Sequence, residues 1–432
     1  MLRICGALSV LMTGPLLWSG AFAQASPNAA IEWNKTLLTI VRTAGAQPAT
    51  LHSTRSFAIL HAAIYDAVNS IDGDHAPYLV QIERIREDAS QEAAAHSAAH
   101  DVLVSLYPTF QTTLDAELQQ DLAEIPDGPR KTAGVSVGRA VAQAVLKLRE
   151  EDGSGAPQPK LDLPVKAGQY QSTPPNFPSP AFTQWSGVTP FGLRSARQFR
   201  PGPPPALTSG EYTAAFNEIK SLGMDGSTTA TADQQQIGKF WGGQIQNYWN
   251  EIAQTAAEGH HLSLSKTARL FALLNISLAD SVIAFYDAKY TYLFWRPVTA
   301  IQEADIDGNP NTIANPTWLP QPLRTAGDPS YPGAHATVSK AAAFVLDSFF
   351  GRRPFQLAVT SESLPGVVRT FNGFDAAERE ASLSRVLAGQ HFRFDENAGE
   401  VLGNAVADFD VDHLLHRVHE KGDHDDHDEY ED

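Results

Sequence analysis

Apolar residues recur at helical spacing along most of this chain, and this periodicity limits the possible fold more than any other sequence feature. It runs through residues 29–72, with a break at 45–48, and through residues 85–150. After an interruption it returns in the segments 209–222, 232–256, 264–294, 334–350 and 375–418. Because a period near 3.6 residues is typical of helices with one buried face, the sequence predicts an all-α protein built of helical bundles.

Residues 153–208 interrupt this pattern with a composition rich in Pro, Gly, Ser and Gln, which is incompatible with a regular helix. The aromatic residues of this stretch include Tyr170, Phe177, Trp185 and Phe191. A flexible linker is one interpretation, but the aromatic residues favour a packed connector. We therefore predict an N-terminal helical region at 29–152, a connector at 153–208 and a core at 209–418.

The first 23 residues have the pattern of a secretory signal peptide. Arg3 precedes an apolar run at 4–18, and small residues lead up to Ala23. A membrane anchor is the alternative, but Pro15 interrupts the run, which is shorter than the ~20 residues that a bilayer requires. We therefore expect cleavage after Ala23, export to the periplasm or the extracellular space, and no membrane span.

Charge and cysteine content exclude several other classes. The only cysteine is Cys5, within the predicted leader, so the mature chain has no disulfide and no thiolate metal site. The formal net charge is −17, with an acidic tail at 419–432, which argues against nucleic acid as a partner. A solvated tail is the favoured interpretation, and a weak divalent-cation site at His413, His416 and His419 is the alternative.

Lys289 and Arg296 are the first candidate site residues. Pro297 predicts that the helix 281–296 ends at Arg296, with the two cations two turns apart on one face, about 10 Å along the axis. Two such cations are usually just solvated. Here they lie among aromatic residues, where uncompensated charge is costly, so an anionic partner is indicated.

Two histidine motifs follow. A Pro/Gly turn containing Gly333 leads into a helix beginning near His335, and helix N-termini favour anions. Further on, Arg385 lies in a helical turn that Gly389 can end, and His391 starts the next segment. Arginine binds phosphate-like oxygens in a bidentate manner. Each motif alone also suits a packed or capping histidine. Together they predict a pocket for a tetrahedral oxyanion such as phosphate or vanadate.

These motifs resemble the superfamily of vanadium-dependent haloperoxidases and type 2 phosphatidic acid phosphatases, which share Lys-x6-Arg-Pro, Pro-Ser-Gly-His and Ser-Arg-x5-His. Here they read Lys289-YTYLFW-Arg296-Pro297, Pro332-Gly333-Ala334-His335 and Ser384-Arg385-VLAGQ-His391. Stretches such as WNKTLLTIVRTAG and FWGGQIQNYWNEIA extend the likeness to the bacterial haloperoxidase-like branch over most of the mature chain. The resemblance implies an all-α fold with a type 2 phosphatidic acid phosphatase/haloperoxidase-like core and a site between helices.

The resemblance also implies roles for these residues. The oxyanion oxygens would be bound by Lys289, Arg296 and Arg385 and by the backbone of Gly333 and Ala334. His391 would ligate vanadium in a vanadate cofactor, or attack phosphorus to form a phosphohistidine in a phosphatase without vanadate. His335 would be the acid-base group on the opposite side.

The chain departs from the superfamily pattern at two points. Gly333-Ala334 replaces Ser-Gly, which removes a hydroxyl worth roughly 1 to 3 kcal/mol and adds about 1 kcal/mol if position 334 needs a positive φ. Asp328 stands where chloroperoxidases carry an aromatic residue and bromoperoxidases a histidine, and Tyr286 keeps an aromatic residue before the lysine. Asp328 would repel halide if it faced the pocket, or would turn outward or pair with a cation.

Three hypotheses follow. The favoured one is a haloperoxidase that oxidises bromide or iodide with hydrogen peroxide, the second is a phosphatase acting on a phosphoester, and the third is a non-catalytic oxyanion-binding protein. A homodimer is an alternative to a monomer, since family members often form dimers. Four other polar residues lie within apolar segments that are predicted to be helical: His61, Asp66, His260 and His261. We expect no catalytic role for them.

Overall fold

The structure is a computed structural model that describes residues 28–82, 85–86, 88–351 and 355–418. The predicted leader at 1–23 and the acidic tail at 419–432 lie outside these residues. Within them the predicted all-α class is confirmed, with one two-stranded antiparallel hairpin added.

Five helices form the N-terminal region. The side chain of His52 accepts a hydrogen bond from the Thr54 N–H and so caps the second helix, and Pro129 begins the fifth helix after Gly128. The helices are α1 (Ala29–Arg42), α2 (Ser53–Asp72), α3 (Gln91–Leu106), α4 (Gln111–Glu124) and α5 (Pro129–Arg149).

The C-terminal region contains eight helices and the hairpin among its described residues. The helices are α6 (Gly210–Leu222), α7 (Ala232–Phe240), α8 (Ile245–Gly259), α9 (Leu264–Tyr292), α10 (Pro297–Gln302), α11 (Ala334–Phe350), α12 (Phe374–Leu387) and α13 (Arg393–His413). The strands are β1 (Gln356–Thr360) and β2 (Val368–Asn372), with Ala358 opposite Thr370.

The connector between the two regions lies packed against the helices. Tyr170 and Trp185 within it are almost completely buried. The carboxylate of Asp280 on α9 accepts three backbone N–H groups from residues 191–193 at 2.6 to 2.7 Å. Because these donors satisfy a carboxylate that has no access to water, they attach the connector to the centre of the fold.

Helix α9 lies at the centre and packs against α2, α11 and α13. It is long and apolar enough to cross a membrane by length and composition, but 94% of its most apolar stretch is buried inside the protein. We therefore interpret α9 as the core helix of the fold, on which the residues of the site are assembled.

The predicted end of this helix at Arg296 is wrong. Helix α9 ends at Tyr292, Leu293 adopts a left-handed conformation with φ 48°, and Arg296 is extended. The connector holds this bend, since the Tyr170 N–H donates to the Leu293 carbonyl and the Trp295 N–H to the Gly168 carbonyl. Lys289 and Arg296 therefore do not lie two turns apart on one helical face.

Two other predicted helices are divided, and the hairpin was not predicted. The segment 232–256 breaks between α7 and α8 at a Gly-Gly pair, and the segment 375–418 breaks between α12 and α13, where Gly389 has φ 72°. Glycine favours the second break because its backbone adopts a positive φ that other residues avoid. At the first break, a Cβ added to Gly243 would overlap the Glu362 side chain. The second break confirms the predicted end of the helix at Gly389 and places His391 in the short loop before α13.

Helices α11 and α13 approach each other through glycines of α13. A Cβ added to Gly399 would lie 2.5 Å from the Gly333 carbonyl oxygen, and one added to Gly403 would overlap the Thr337 carbonyl. This contact sets the distance between the start of α11, which carries His335, and the loop that carries His391.

We expect Gly403→Ala to destabilise the protein by about 1 to 3 kcal/mol, because the added methyl group forces the two helices apart. The midpoint of urea unfolding measures this loss. Gly259→Ala is the control, since a Cβ at that position meets nothing within 4 Å. Equal stability of the two variants would contradict the close approach.

Candidate active site

A cavity of about 820 Å³ lies where the N-terminal region, the connector and the C-terminal core meet. Five of the predicted site residues line it: Arg296, Ala334, His335, Arg385 and His391. Lys289 and Gly333 lie behind this wall and are buried. Residues from α9, α10, α11, α12 and the loop before α13 are thus brought together.

The other walls come from parts of the chain that the motifs do not include. His52 precedes α2, Phe182 belongs to the connector and Tyr286 lies on α9. Their rings are in mutual contact, with centroids 5.3 to 6.2 Å apart. Burial lowers the pKa of His52 to about 4, so this ring is neutral and belongs to an apolar wall.

Asp328 faces the site and pairs with two cations. One carboxylate oxygen lies 3.3 Å from the Nζ of Lys289, and the other accepts a hydrogen bond from the Nη2 of Arg296. Of the orientations left open by the sequence, the structure therefore has the one in which Asp328 pairs with cations. Lys289 and Arg296, separated by the end of α9, meet at this carboxylate.

The charges of this group depend on each other. Burial lowers the pKa of Lys289 to about 8, although Asp328 opposes the shift. Burial alone would raise the pKa of Asp328, but Lys289 and Arg296 hold it below its usual value. Near neutral pH the group is therefore a carboxylate between two cations.

Arg385, near the end of α12, is a buried cation with an incomplete set of acceptors. Its Nε has no hydrogen-bond partner among the described residues. Burial lowers the pKa of this guanidinium to about 10, Glu396 opposes the shift and Arg296 adds to it. A buried guanidinium N–H that lacks an acceptor is suited to bind the oxygen of an anion.

His391 has a defined orientation. Its Nε2 lies 3.0 Å from the Nη1 of Arg296, which can only donate, so Nε2 accepts and Nδ1 carries the proton. The Nδ1 faces the Asp395 carboxylate at 3.4 Å and the Ser330 hydroxyl at 3.5 Å. Burial, followed by Arg296 and Lys289, holds the pKa of His391 far below its usual value. The ring is therefore neutral, and the lone pair of Nε2 faces the cations.

His335 lies in the first turn of α11, as the Pro/Gly turn predicts. Its Nε2 is 3.1 Å from the Trp241 carbonyl oxygen, which accepts the Nε2 proton. Burial and then Arg385 lower its pKa far below the usual value, so His335 is neutral with its lone pair on Nδ1.

The Gly333-Ala334 pair has a steric explanation. Gly333 has φ −69° and Ala334 is the first helical residue, so the expectation that Ala334 is strained by a positive φ is wrong. A Cβ at position 333 would instead overlap the carboxyl of Glu396. Glycine leaves room there for the buried Glu396 carboxyl, and a serine would fit only if the Glu396 side chain shifted.

Asp395 and Glu396 are site residues that the motifs missed. The Ser330 hydroxyl donates to Asp395 at 2.6 Å, and burial raises the pKa of that carboxyl to about 6. Both oxygens of Glu396 lack hydrogen-bond partners among the described residues, and burial, then Asp395, raises its pKa far above the usual value. The two adjacent acids after His391 were the available sequence signal.

The other polar residues singled out from the sequence lie elsewhere. His61 is buried with its Nε2 2.9 Å from Asn34, and Asp66 accepts three backbone N–H groups of residues 78–80. His260 and His261 were expected within an apolar helix, but they are exposed and follow the end of α8. None of the four lines the cavity.

Candidate metal ligands outside the cavity also have other partners. Glu32, His96 and Asp121 are close enough to hold an ion, but the Nδ1 of His96 already accepts the Trp33 N–H at 2.9 Å. Ring nitrogens of His413 and His416 each lie within 2.7 Å of a main-chain carbonyl four residues earlier. The third histidine of the proposed tail site, His419, lies outside the described residues.

The cavity residues as a set fit a tetrahedral oxyanion. Three buried cations, the free Nε–H of Arg385 and the start of α11 provide positive potential, and the Nε2 of His391 provides a neutral donor atom. Asp328 is the one negative group that competes for two of these cations.

The chain is similar to known vanadium haloperoxidases. The family profile described as the VCPO second helical-bundle domain matches residues 269–420. The vanadium chloroperoxidase of Curvularia inaequalis is 26% identical, over 80% of this chain and 74% of that protein.

Solved structures share the fold. The structure described as the first bacterial vanadium-dependent iodoperoxidase matches with a TM-score of 0.74 and 24% identity, over 90% of this chain and 96% of that one. A holo-type bacterial vanadium-dependent chloroperoxidase matches with a TM-score of 0.63 and 15% identity, over 85% and 93%. The match of its second helical bundle, the similarity to a vanadium chloroperoxidase and the shared fold together support placing the chain in the vanadium haloperoxidase superfamily.

Proposed function

We propose that this protein is a haloperoxidase-like enzyme that holds vanadate and oxidises bromide or iodide with hydrogen peroxide. The observation that carries the proposal is the convergence of Arg296, Arg385, His335 and His391 on one cavity, with Lys289 directly behind it. The named activities of the relatives, which are vanadium chloro- and iodoperoxidases, support this reaction class.

Arg385 and Arg296 would bind the oxyanion oxygens, and Lys289 would add its charge from behind. His391 would hold the vanadate through Nε2, while Asp395 and Ser330 hold its Nδ1 proton. When bound, vanadate would act as a Lewis acid that activates peroxide toward halide without a change of oxidation state. His335 would accept a proton at Nδ1 as peroxide binds.

A phosphatase is the second candidate. The neutral Nε2 of His391 beside cations is also suited to attack phosphorus, and the cavity of about 820 Å³ has room for a small phosphoester. In that reaction His335 would protonate the leaving oxygen, and no vanadate would be required.

We also propose that the enzyme acts outside the cytoplasm, on the basis of the leader sequence at 1–23. The N-terminal residue of the protein recovered from the periplasm or medium tests this placement. Recovery of full-length protein in the cytoplasm would contradict it.

In the metal-stripped mature protein we expect iodide and bromide oxidation by peroxide to appear only when orthovanadate is added. We expect His391→Ala to lower this rate by more than the roughly 10 to 100-fold that loss of an outer-shell partner costs, because the residue that would hold vanadate directly is removed. The control is His260→Ala, an exposed histidine outside the cavity, which should leave the rate unchanged.

The same preparations distinguish the second candidate. Hydrolysis of p-nitrophenyl phosphate that is inhibited by vanadate, without halide oxidation, would replace the haloperoxidase proposal with the phosphatase. Binding of phosphate or vanadate without either reaction would favour the non-catalytic oxyanion-binding protein.

The affinity for inorganic phosphate should fall as the pH rises above about 8. Lys289 has a lowered pKa of about 8, so it is charged below that pH and neutral above it. Above pH 8, Lys289 must therefore take up a proton when phosphate binds. Uptake of one proton per bound phosphate predicts that the affinity falls about tenfold per pH unit. Calorimetric titrations between pH 7 and 9.5 measure this slope.

Lys289→Met is the matched variant for this test. It should bind phosphate more weakly at pH 7 and should lack the decline between pH 8 and 9.5, because Arg385 keeps its proton to about pH 10. An unchanged slope in this variant would assign the titration to another group.

A further inference from the structure

The hydrogen bonds of Lys289 leave it no donor for a ligand. An ammonium group has three N–H donors. The carbonyl oxygens of Pro329 and Ser330 accept from the Nζ, and the Asp328 carboxylate lies 3.3 Å from it. All three directions are therefore occupied by the protein itself.

Arg296 is almost as fully engaged. Of its five N–H donors, Nε–H is donated to the Asp328 carbonyl and one Nη2–H to the Asp328 carboxylate. The two N–H groups of Nη1 face the Gln390 carbonyl oxygen and the Nε2 of His391. One Nη2–H remains.

The Asp328 carboxylate thus has the position and the charge of a ligand. Its two oxygens face one cation each, as two oxygens of a tetrahedral oxyanion would, and it lines the cavity. The other contacts of Lys289 and Arg296 are with the neutral main chain or a neutral ring. Asp328 is therefore the only anion in contact with either cation among the described residues.

We propose that Asp328 competes with the oxyanion for Lys289 and Arg296. Phosphate or vanadate would contact the Nζ of Lys289 and the Nη2–H of Arg296 that Asp328 now accepts only by displacing this side chain. The inference rests on the proposed oxyanion site but not on the reaction performed there. It makes Asp328 the residue that determines how tightly the site holds its anion.

The charge balance indicates the direction of the effect. With Asp328 in place, Arg385 is the only one of the three site cations with a nitrogen that lacks an acceptor among the residues that the structure describes. Removal of the competing carboxylate leaves two buried cations without a counter-ion, a state that is costly until another anion binds. The variant should therefore be less stable without a ligand and should bind the ligand more tightly.

The first test compares Asp328→Asn with the wild-type protein in calorimetric titrations with inorganic phosphate and, separately, with orthovanadate. We expect at least tenfold tighter binding of both by the variant, and a larger rise of its unfolding temperature when phosphate is added. Equal or weaker binding by the folded variant would overturn the inference.

Asp287→Asn is the matched control. This residue lies on α9 beside Lys289 in the sequence, and its carboxylate pairs with Arg200 at 2.6 and 2.8 Å outside the cavity. The substitution changes the net charge by the same amount. It should leave phosphate affinity within about twofold of the wild-type value, and an equal gain would point to net charge instead of competition.

A second measurement does not depend on the folding of any variant. A crystal structure of the wild-type protein with vanadate or phosphate should show the Asp328 side chain turned away and Lys289 in contact with the anion. An anion bound with both ion pairs of Asp328 intact would overturn the inference. Absence of halide oxidation would refute the proposed function alone, because the affinity difference is measured without turnover.

Discussion

The balance of buried charge is the constraint on which this site depends. Lys289, Arg296 and Arg385 lie in an interior where an unpaired cation is costly, and each requires an acceptor or a counter-ion. Asp328 serves two of them, and Arg385 retains a nitrogen without a partner among the described residues. Burial, together with the neighbouring cations, keeps His335 and His391 neutral, which is the form that the proposed reactions require of both.

Close packing at the start of α11 is the second constraint. Gly333 makes room for Glu396, while Gly399 and Gly403 bring α13 against α11. The change from the serine of the superfamily motif is therefore linked to an acid on another helix. A hydroxyl is lost at position 333, but a carboxyl occupies that volume beside His391, with its Oε1 3.8 Å from the Nδ1 of His391.

Much of the fold and the site could be predicted from local patterns. Helical periodicity indicated the bundles, and the start of α11 at Ala334 followed from the preceding turn. The end of α9 could not be predicted, because residues of the connector about 120 positions earlier hold Leu293 and Trp295 in place. The contributions of His52 and Phe182 to the cavity wall were hidden for the same reason.

The sequence by itself determined the helical class and the order of the three basic and histidine motifs, since spacing and residue type are local properties. It also showed that Asp328 and Gly333-Ala334 depart from the superfamily pattern. Only the tertiary structure decided what these departures do. The partners of Asp328 lie 32 and 39 residues earlier, and the acid whose carboxyl fills the space beside Gly333 lies on a different helix, so the contacts exist only once the chain is packed.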